Sequence, residues 1–150
     1  MINRVTINLA PDLYQAARKL EEAHEALGLQ KHYTALIKIR ASQINGCAYC
    51  INLHTRDARR LGMSEWKIYL LPAWRESTVF DEKERAVLAW TEALTRVSEH
   101  GAPSELYATL TKHFSDLEVV AINTAVALIN FWNRTTIGFG MVHPGEKHLE

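Results

Sequence analysis

The hydrophobic residues of this chain recur every three or four positions, and no stretch alternates between apolar and polar residues as a β-strand does. Glycines divide the first half of this pattern into three helical segments, which cover residues 11–28, 32–45 and 47–62. Ser64 is placed to cap a short fourth helix that Pro72 ends or kinks. The first half is therefore predicted to consist of helices joined by short turns.

Capping residues mark the helices of the second half. Asp81 with Glu84, and Ser115 with Glu118, match the capping box, in which two residues satisfy each other's backbone N–H groups at a helix start. Pro103 begins a short helix between the two. Altogether the pattern predicts an all-α bundle of about six or seven helices.

The last long helix, predicted over residues 116–138, is apolar nearly all the way round. Such a helix either occupies the centre of the core or is covered in part by another subunit, and the pattern alone favours neither. The 150 residues are enough to bury a core of their own, so we expect one domain over residues 1–150.

Composition narrows the classes of function. Seventeen basic and seventeen acidic residues leave no formal net charge, which gives no electrostatic basis for binding nucleic acid or an anionic membrane. The N-terminus lacks the pattern of a secretory signal, and no apolar run reaches the length of a membrane span. We therefore expect a cytoplasmic protein, in which thiols are normally reduced.

The two cysteines stand in the segment SQINGCAYCINLH, residues 42–54. If a helix begins at this point, Cys47, Cys50 and His54 follow each other on one face, at intervals of three and four residues. The helix dipole would then stabilise a thiolate, and His54 would lie within reach of the proton of Cys50. Residues three apart on a helix are also close enough for a disulfide after a small adjustment. The segment therefore predicts a redox-active dithiol with its own base.

Three other interpretations of the motif compete. A zinc site needs a fourth ligand at regular spacing, and the remaining histidines are scattered. Covalent haem attachment requires a histidine directly after the second cysteine, where Ile51 stands, so that interpretation fails. The cysteines could also be inert core residues, although a base four residues after Cys50 makes this a weaker explanation.

The sequence also resembles a known family. The stretches IRASQINGCAYCINLHTRDARRLG, LPAWRESTVFDEKERAVLAWTEALT and ALINFWNR, within residues 15–139, are similar to the alkylhydroperoxidase AhpD-like group of the carboxymuconolactone decarboxylase superfamily. The decarboxylase branch lacks the cysteine pair, so the resemblance is to the redox branch. It implies a homo-oligomer, commonly a trimer or hexamer, that reduces organic or hydrogen peroxides with electrons from an external dithiol donor.

The resemblance also implies roles for the three residues. Cys50 matches the peroxidatic cysteine, Cys47 its resolving partner and His54 the histidine of the proton relay. The helix dipole alone would favour Cys47 as the attacking sulfur, whereas the nearness of His54 favours Cys50. We follow the resemblance and expect Cys50 to attack.

One position departs from the family pattern. The relay glutamate that usually lies twelve residues before the first cysteine is replaced by Ala35, which cannot carry a proton. Glu84 or Glu92 could approach from a later helix, or water could substitute. Because general acid–base catalysis contributes about 10²–10⁴-fold to a rate, the departure leaves a second function open. This is a redox sensor or protein-disulfide oxidoreductase with weak peroxidase turnover.

Overall fold

The computed structural model describes residues 4–143 and is all-helical over that range, as predicted, with no strand among the described residues. Its eight α-helices are α1 (Pro11–Glu25), α2 (Lys31–Asn45), α3 (Ala48–Arg60), α4 (Glu65–Leu70), α5 (Glu82–Thr95), α6 (Val97–His100), α7 (Ser104–His113) and α8 (Asp116–Gly138). Two single-turn 3₁₀ helices, Ile7–Leu9 and Leu71–Ala73, complete the described chain. None of the helices within residues 4–143 is long and apolar enough to cross a membrane.

Helix α2 occupies the centre of the bundle, because both of its sides are apolar. On one side Ile37 belongs to a buried cluster that includes Val87 of α5 and Ile122 of α8. On the other side Leu36 belongs to a second cluster with residues that include Ala58 of α3. A helix buried on two sides holds its own C-terminus firmly, and that C-terminus leads directly into α3 and the cysteine pair.

Helix α8 is buried along one side only. Its inward residues include Ile122 and Ile129, which are fully buried. Val120 and Phe131 point outward in the single chain and are 54% and 40% exposed. One alternative placed α8 at the centre of the core, but that position belongs to α2. The other alternative, that another subunit covers part of α8, stays a prediction.

Most of the predicted helix ends are confirmed. Gly46 ends α2 in the left-handed conformation, with φ of +68°, and Ser64 caps α4 through a bond from the backbone N–H of Lys67. Both predicted capping boxes are formed, at the starts of α5 and α8. Pro72 lies in the 3₁₀ turn directly after α4.

The helix count is higher than expected. Residues 82–100 form two helices, because the backbone of Arg96, at φ −109° and ψ 40°, leaves the helical conformation. The sequence has no proline or glycine at or beside Arg96 that would predict this break. This break raises the number of α-helices among the described residues from the predicted six or seven to eight.

Candidate redox site

The two cysteines form a disulfide at the N-terminus of α3. Their Cα atoms lie 5.3 Å apart, and the backbone N–H of Cys50 donates to Sγ of Cys47 at 3.3 Å. The helix begins at Ala48, one residue later than the predicted start, so Cys47 is the N-cap and not the first helical residue. Both cysteines are nearly inaccessible in the single chain, at 1% and 3% exposure. The two sulfurs thus lie on one side of the backbone, as the spacing predicts.

The left-handed turn at Gly46 places the sulfurs at this helix end. The backbone N–H of Cys47 donates to the carbonyl of Ser42 at 3.0 Å, which closes the end of α2 and redirects the chain into α3. The first N–H groups of α3 therefore face the sulfurs. The positive end of a helix dipole stabilises negative charge, so a thiolate formed here is favoured over one in the body of a helix.

A buried polar network ties the same turn to α8. Asn133, which is fully buried, donates from Nδ2 to Oγ of Ser42 at 3.0 Å and accepts from Nδ2 of Asn45 at 2.9 Å. Asn45 also donates to Oδ1 of Asn130 at 3.0 Å. Buried polar groups that satisfy one another fix a single arrangement of the backbone. Helix α8, whose contacting residues lie more than 80 positions further along the chain, thus fixes the turn before the cysteines.

His54 lies on α3 one turn after Cys50, and most of its side chain is buried. Its Nδ1 is 4.0 Å from a carboxylate oxygen of Asp57. Burial lowers the pKa of His54 to about 4, and the positive charge of Lys38 acts in the same direction. The carboxylates of Asp57 and Glu21 oppose this shift without reversing it. At neutral pH the imidazole is therefore uncharged.

His54 borders a cleft of about 760 Å³ between α1, α2 and α3. Ala35, which stands where the family has its relay glutamate, lines the same cleft and contributes only a methyl group to it. Of the three residues in the predicted site, His54 alone lines the cleft. The structure thus places the imidazole at an open space and the disulfide in the protein interior.

The two carboxylates considered as replacements for the relay glutamate are engaged elsewhere. Glu84 pairs with Lys67 and accepts the backbone N–H of Asp81 in the capping box. Neither Glu84 nor Glu92 lines the cleft beside His54.

Glu92 belongs to a cluster of its own. Its carboxylate accepts bonds from Trp74 Nε1 at 2.8 Å, Arg40 Nε at 2.7 Å and Arg75 at 2.6 Å. Burial alone would raise the pKa of Glu92, but these donors together lower it. Its role is therefore to join α2, α5 and the turn after α4.

The cleft contains a different carboxylate, which the sequence reasoning missed. Glu21 of α1 is 8% exposed, and its Oε2 lies 3.3 Å from Nζ of Lys38. Its Oε1 accepts from Nε1 of Trp132 at 3.0 Å. One signal was present in the sequence, because Glu21 shares the inward-facing stripe of α1 with Tyr14 and His24. A carboxylate at such a position is seldom buried without a partner.

Within residues 4–143 no group of three or more His, Cys, Asp or Glu residues is arranged to hold a metal ion. The sulfurs that a zinc site would use are bonded to each other.

The chain matches a known protein family and two curated relatives. The model of the carboxymuconolactone decarboxylase family matches residues 11–93. The uncharacterized protein YdfG of Bacillus subtilis is 36% identical over 132 residues, which cover 88% of this chain and 90% of that protein. The uncharacterized protein YnjA of Escherichia coli is 29% identical over 100 residues, covering 66% of this chain and 52% of that protein.

Solved structures share the fold. One is a protein of unknown function from Agrobacterium tumefaciens, described as a candidate AhpD antioxidant defence protein. It is 43% identical to this chain, with a TM-score of 0.91. The comparison covers 95% of this chain and 99% of that one. The debrominase Bmp8 shares the fold with a TM-score of 0.83 at 23% identity, over 93% of this chain and 75% of its own. From the family match and these relatives, the chain belongs to the carboxymuconolactone decarboxylase family and is an AhpD-like member of it.

Proposed function

We propose that this protein is a thiol peroxidase that reduces hydrogen peroxide or alkyl hydroperoxides through the Cys47–Cys50 pair. The observation that carries the proposal is the disulfide at the start of α3 with His54 one helical turn away. The likeness to the Agrobacterium protein supports an antioxidant role. No resident cofactor is needed, because the two thiols supply both electrons that a peroxide bond takes up.

The protein is oxidised to the disulfide in two steps, and a third step restores the thiols. His54 takes the proton of Cys50, and the resulting thiolate attacks one peroxide oxygen. The O–O bond breaks, and the departing alkoxide, or hydroxide in the case of hydrogen peroxide, takes that proton from His54 and leaves as an alcohol or as water. Cys50 is then a sulfenic acid. The thiol of Cys47 attacks its sulfur, which forms the disulfide and releases water. An external dithiol reduces the disulfide and is itself oxidised, which returns both cysteines to thiols.

Cys50 is the better candidate for the attacking sulfur. His54 stands one turn from Cys50 and can take its proton, directly or through one water. Cys47, by contrast, caps the helix through the N–H of Cys50. That bond holds Cys47 where it can close the disulfide once the sulfenic acid has formed.

The burial of the sulfurs favours a small oxidant. With 1% and 3% exposure, neither cysteine presents a surface that a folded protein partner could approach in the single chain. A peroxide is small enough to reach such a site after a modest opening. The alternative, a redox sensor or protein-disulfide oxidoreductase, is favoured by one observation, which is the alanine at position 35.

Rapid-mixing oxidation of the reduced protein tests the proposal. The parent should lose two thiols per peroxide, and Cys50→Ser should leave the peroxide unconsumed. Cys47→Ser should consume one equivalent and accumulate a sulfenic acid that dimedone traps. If Cys50→Ser consumes peroxide as fast as the parent, the proposal is wrong.

A carboxylate introduced at position 35 distinguishes the proposed peroxidase from a redox sensor. In a peroxidase limited by its relay, Ala35→Glu should raise steady-state turnover with a dithiol donor about tenfold or more. Ala35→Gln is the matched control of the same size without charge. If the parent and both variants are each oxidised once by peroxide but do not turn over with a dithiol donor, the result favours the sensor.

We also propose that the protein works as a homo-oligomer, a trimer or a hexamer, in a reducing compartment such as the cytoplasm. Support comes from Val120 and Phe131, which expose apolar surface on α8 in the single chain. Light scattering after size exclusion should give a multiple of 17.1 kDa. Phe131→Glu should lower that mass if this face is the contact.

A further inference from the structure

The cleft beside His54 holds an ion pair that the proposed reaction does not yet use. Glu21 reaches it from α1 and Lys38 from α2, and both side chains are mostly buried. A surface ion pair contributes little to stability and is common, but a buried one carries a large desolvation cost. A carboxylate kept in such a place needs more than one donor, and Glu21 has two, Lys38 and Trp132.

The ion pair and His54 line the same cleft. Lys38 lies three residues after Ala35 on the same face of α2, and Ala35, Glu21 and His54 line one cavity. Helix α2 brings no carboxylate to this cavity, because its lining residues are Lys31, Thr34, Ala35 and Lys38. The carboxylates of the cleft therefore come from α1 and α3, and among them only Glu21 is buried, at 8% exposure, whereas Asp57 is 45% exposed.

The charges around His54 act on its proton in opposite directions. Lys38 of α2 disfavours the imidazolium, whereas Glu21 of α1 and Asp57 of α3 favour it. The other charged or titratable groups that line the cleft are Arg18, His24, Glu25, Lys31 and Arg60. If Glu21 were neutral, the charge of Lys38 would be unopposed within the pair and His54 would hold a proton less readily.

We propose that Glu21 is a positioning residue that holds Lys38 and offsets its charge, so that His54 can accept the proton of Cys50 and return it to the departing alkoxide. This rests on the proposed peroxidase function, with Glu21 partly compensating for the missing carboxylate at position 35. Glu21 touches neither sulfur nor peroxide in this account. It acts through Lys38 and the field at His54.

Charge-neutral variants test the proposal by NMR titration of the His54 ring. Glu21→Gln keeps the size of the side chain and an acceptor for Trp132, so the fold should survive. It should lower the pKa of His54, whereas Lys38→Met should raise it, and the double variant should lie between the two. Glu22→Gln, an exposed neighbour with the same change of charge, is the control. A His54 midpoint that is the same in Glu21→Gln and Lys38→Met would overturn the proposal.

Kinetics give a second readout. Oxidation of reduced Glu21→Gln by peroxide should be about tenfold slower or more, within the range that acid–base catalysis contributes. Adding Ala35→Glu to that variant should restore the rate, because it returns a carboxylate to the cleft from α2. A purely structural role for Glu21 would not be rescued in this way, and a failed rescue with slow oxidation contradicts the proposal. If the parent itself is inert toward peroxide, the proposed function fails, and the His54 titration still decides the role of Glu21.

Discussion

The burial of His54 makes a prediction about stability and pH that needs no assumption about function. In the unfolded chain this histidine titrates near its ordinary pKa of 6.5, and in the folded protein at about 4. Between these two values the unfolded chain binds a proton at His54 that the folded protein does not. The free energy of unfolding therefore rises with pH across this window and falls on acidification.

The magnitude follows from the size of the shift. A drop of the pKa from 6.5 to about 4 corresponds, at about 1.36 kcal/mol per pH unit, to roughly 3 kcal/mol of stability that is present above pH 6.5 and lost by pH 4. At pH 5 roughly 2 kcal/mol should already be lost. The effect is not strongly screened, because only 14% of the side chain is exposed.

Urea unfolding of the oxidised protein and of His54→Gln isolates this contribution. Each is measured by circular dichroism at several pH values from 4 to 7.5, without reductant. The difference between the two unfolding free energies removes the other titrating groups, and it should shrink by roughly 3 kcal/mol as the pH falls. Asn52→Gln, a change on the same helix without a titrating group, should give a difference that does not depend on pH. A constant difference for His54→Gln would refute the buried, neutral imidazole.

Three further predictions concern the frame of the site and can be tested by chemical denaturation. Gly46→Ala should cost about 1–2 kcal/mol because φ is +68°, whereas Gly138→Ala, in a right-handed helix with open space around it, should be neutral or stabilising by up to about 1 kcal/mol. Asn133→Ala should cost about 2–4 kcal/mol, because it removes two buried hydrogen bonds and strands their partners, while the exposed Asn123→Ala should stay within about 0.5 kcal/mol. Glu92→Gln should cost about 3 kcal/mol, because the largely buried Arg40 loses its counter-charge, whereas Arg75 is 60% exposed and stays solvated.

The parts of the fold that were predicted correctly are those encoded locally. The capping box of Asp81 and Glu84 and the left-handed turn at Gly46 depend on residues within a few positions of each other. The spacing of Cys47 and Cys50 is local in the same sense, so the shared side of the two sulfurs could also be predicted. Local chemistry of this kind is visible in one sequence without knowledge of the packing.

The features that were missed depend on contacts between distant segments. Asn133 and Ser42 are 91 positions apart, and nothing in either neighbourhood marks them as partners. The break at Arg96 contains no residue that disfavours a helix, so the surrounding packing must set it. The role of Glu21 was missed for the same reason. Its inward position on α1 could be predicted, but its approach to the cleft of His54 follows only from the way α1 packs beside α2.

The low pKa of His54 and its proposed role are consistent once the redox state is considered. The value of about 4 belongs to the disulfide form, in which Cys50 carries no charge. Reduction allows a thiolate one helical turn away, and a negative charge at that distance favours the imidazolium and raises the pKa of His54. The imidazole would thus take up a proton when Cys50 loses one, and release it when the alkoxide leaves and the thiolate is consumed. Glu21 matters in this cycle because it offsets Lys38, the positive charge that would otherwise oppose the imidazolium in both redox states.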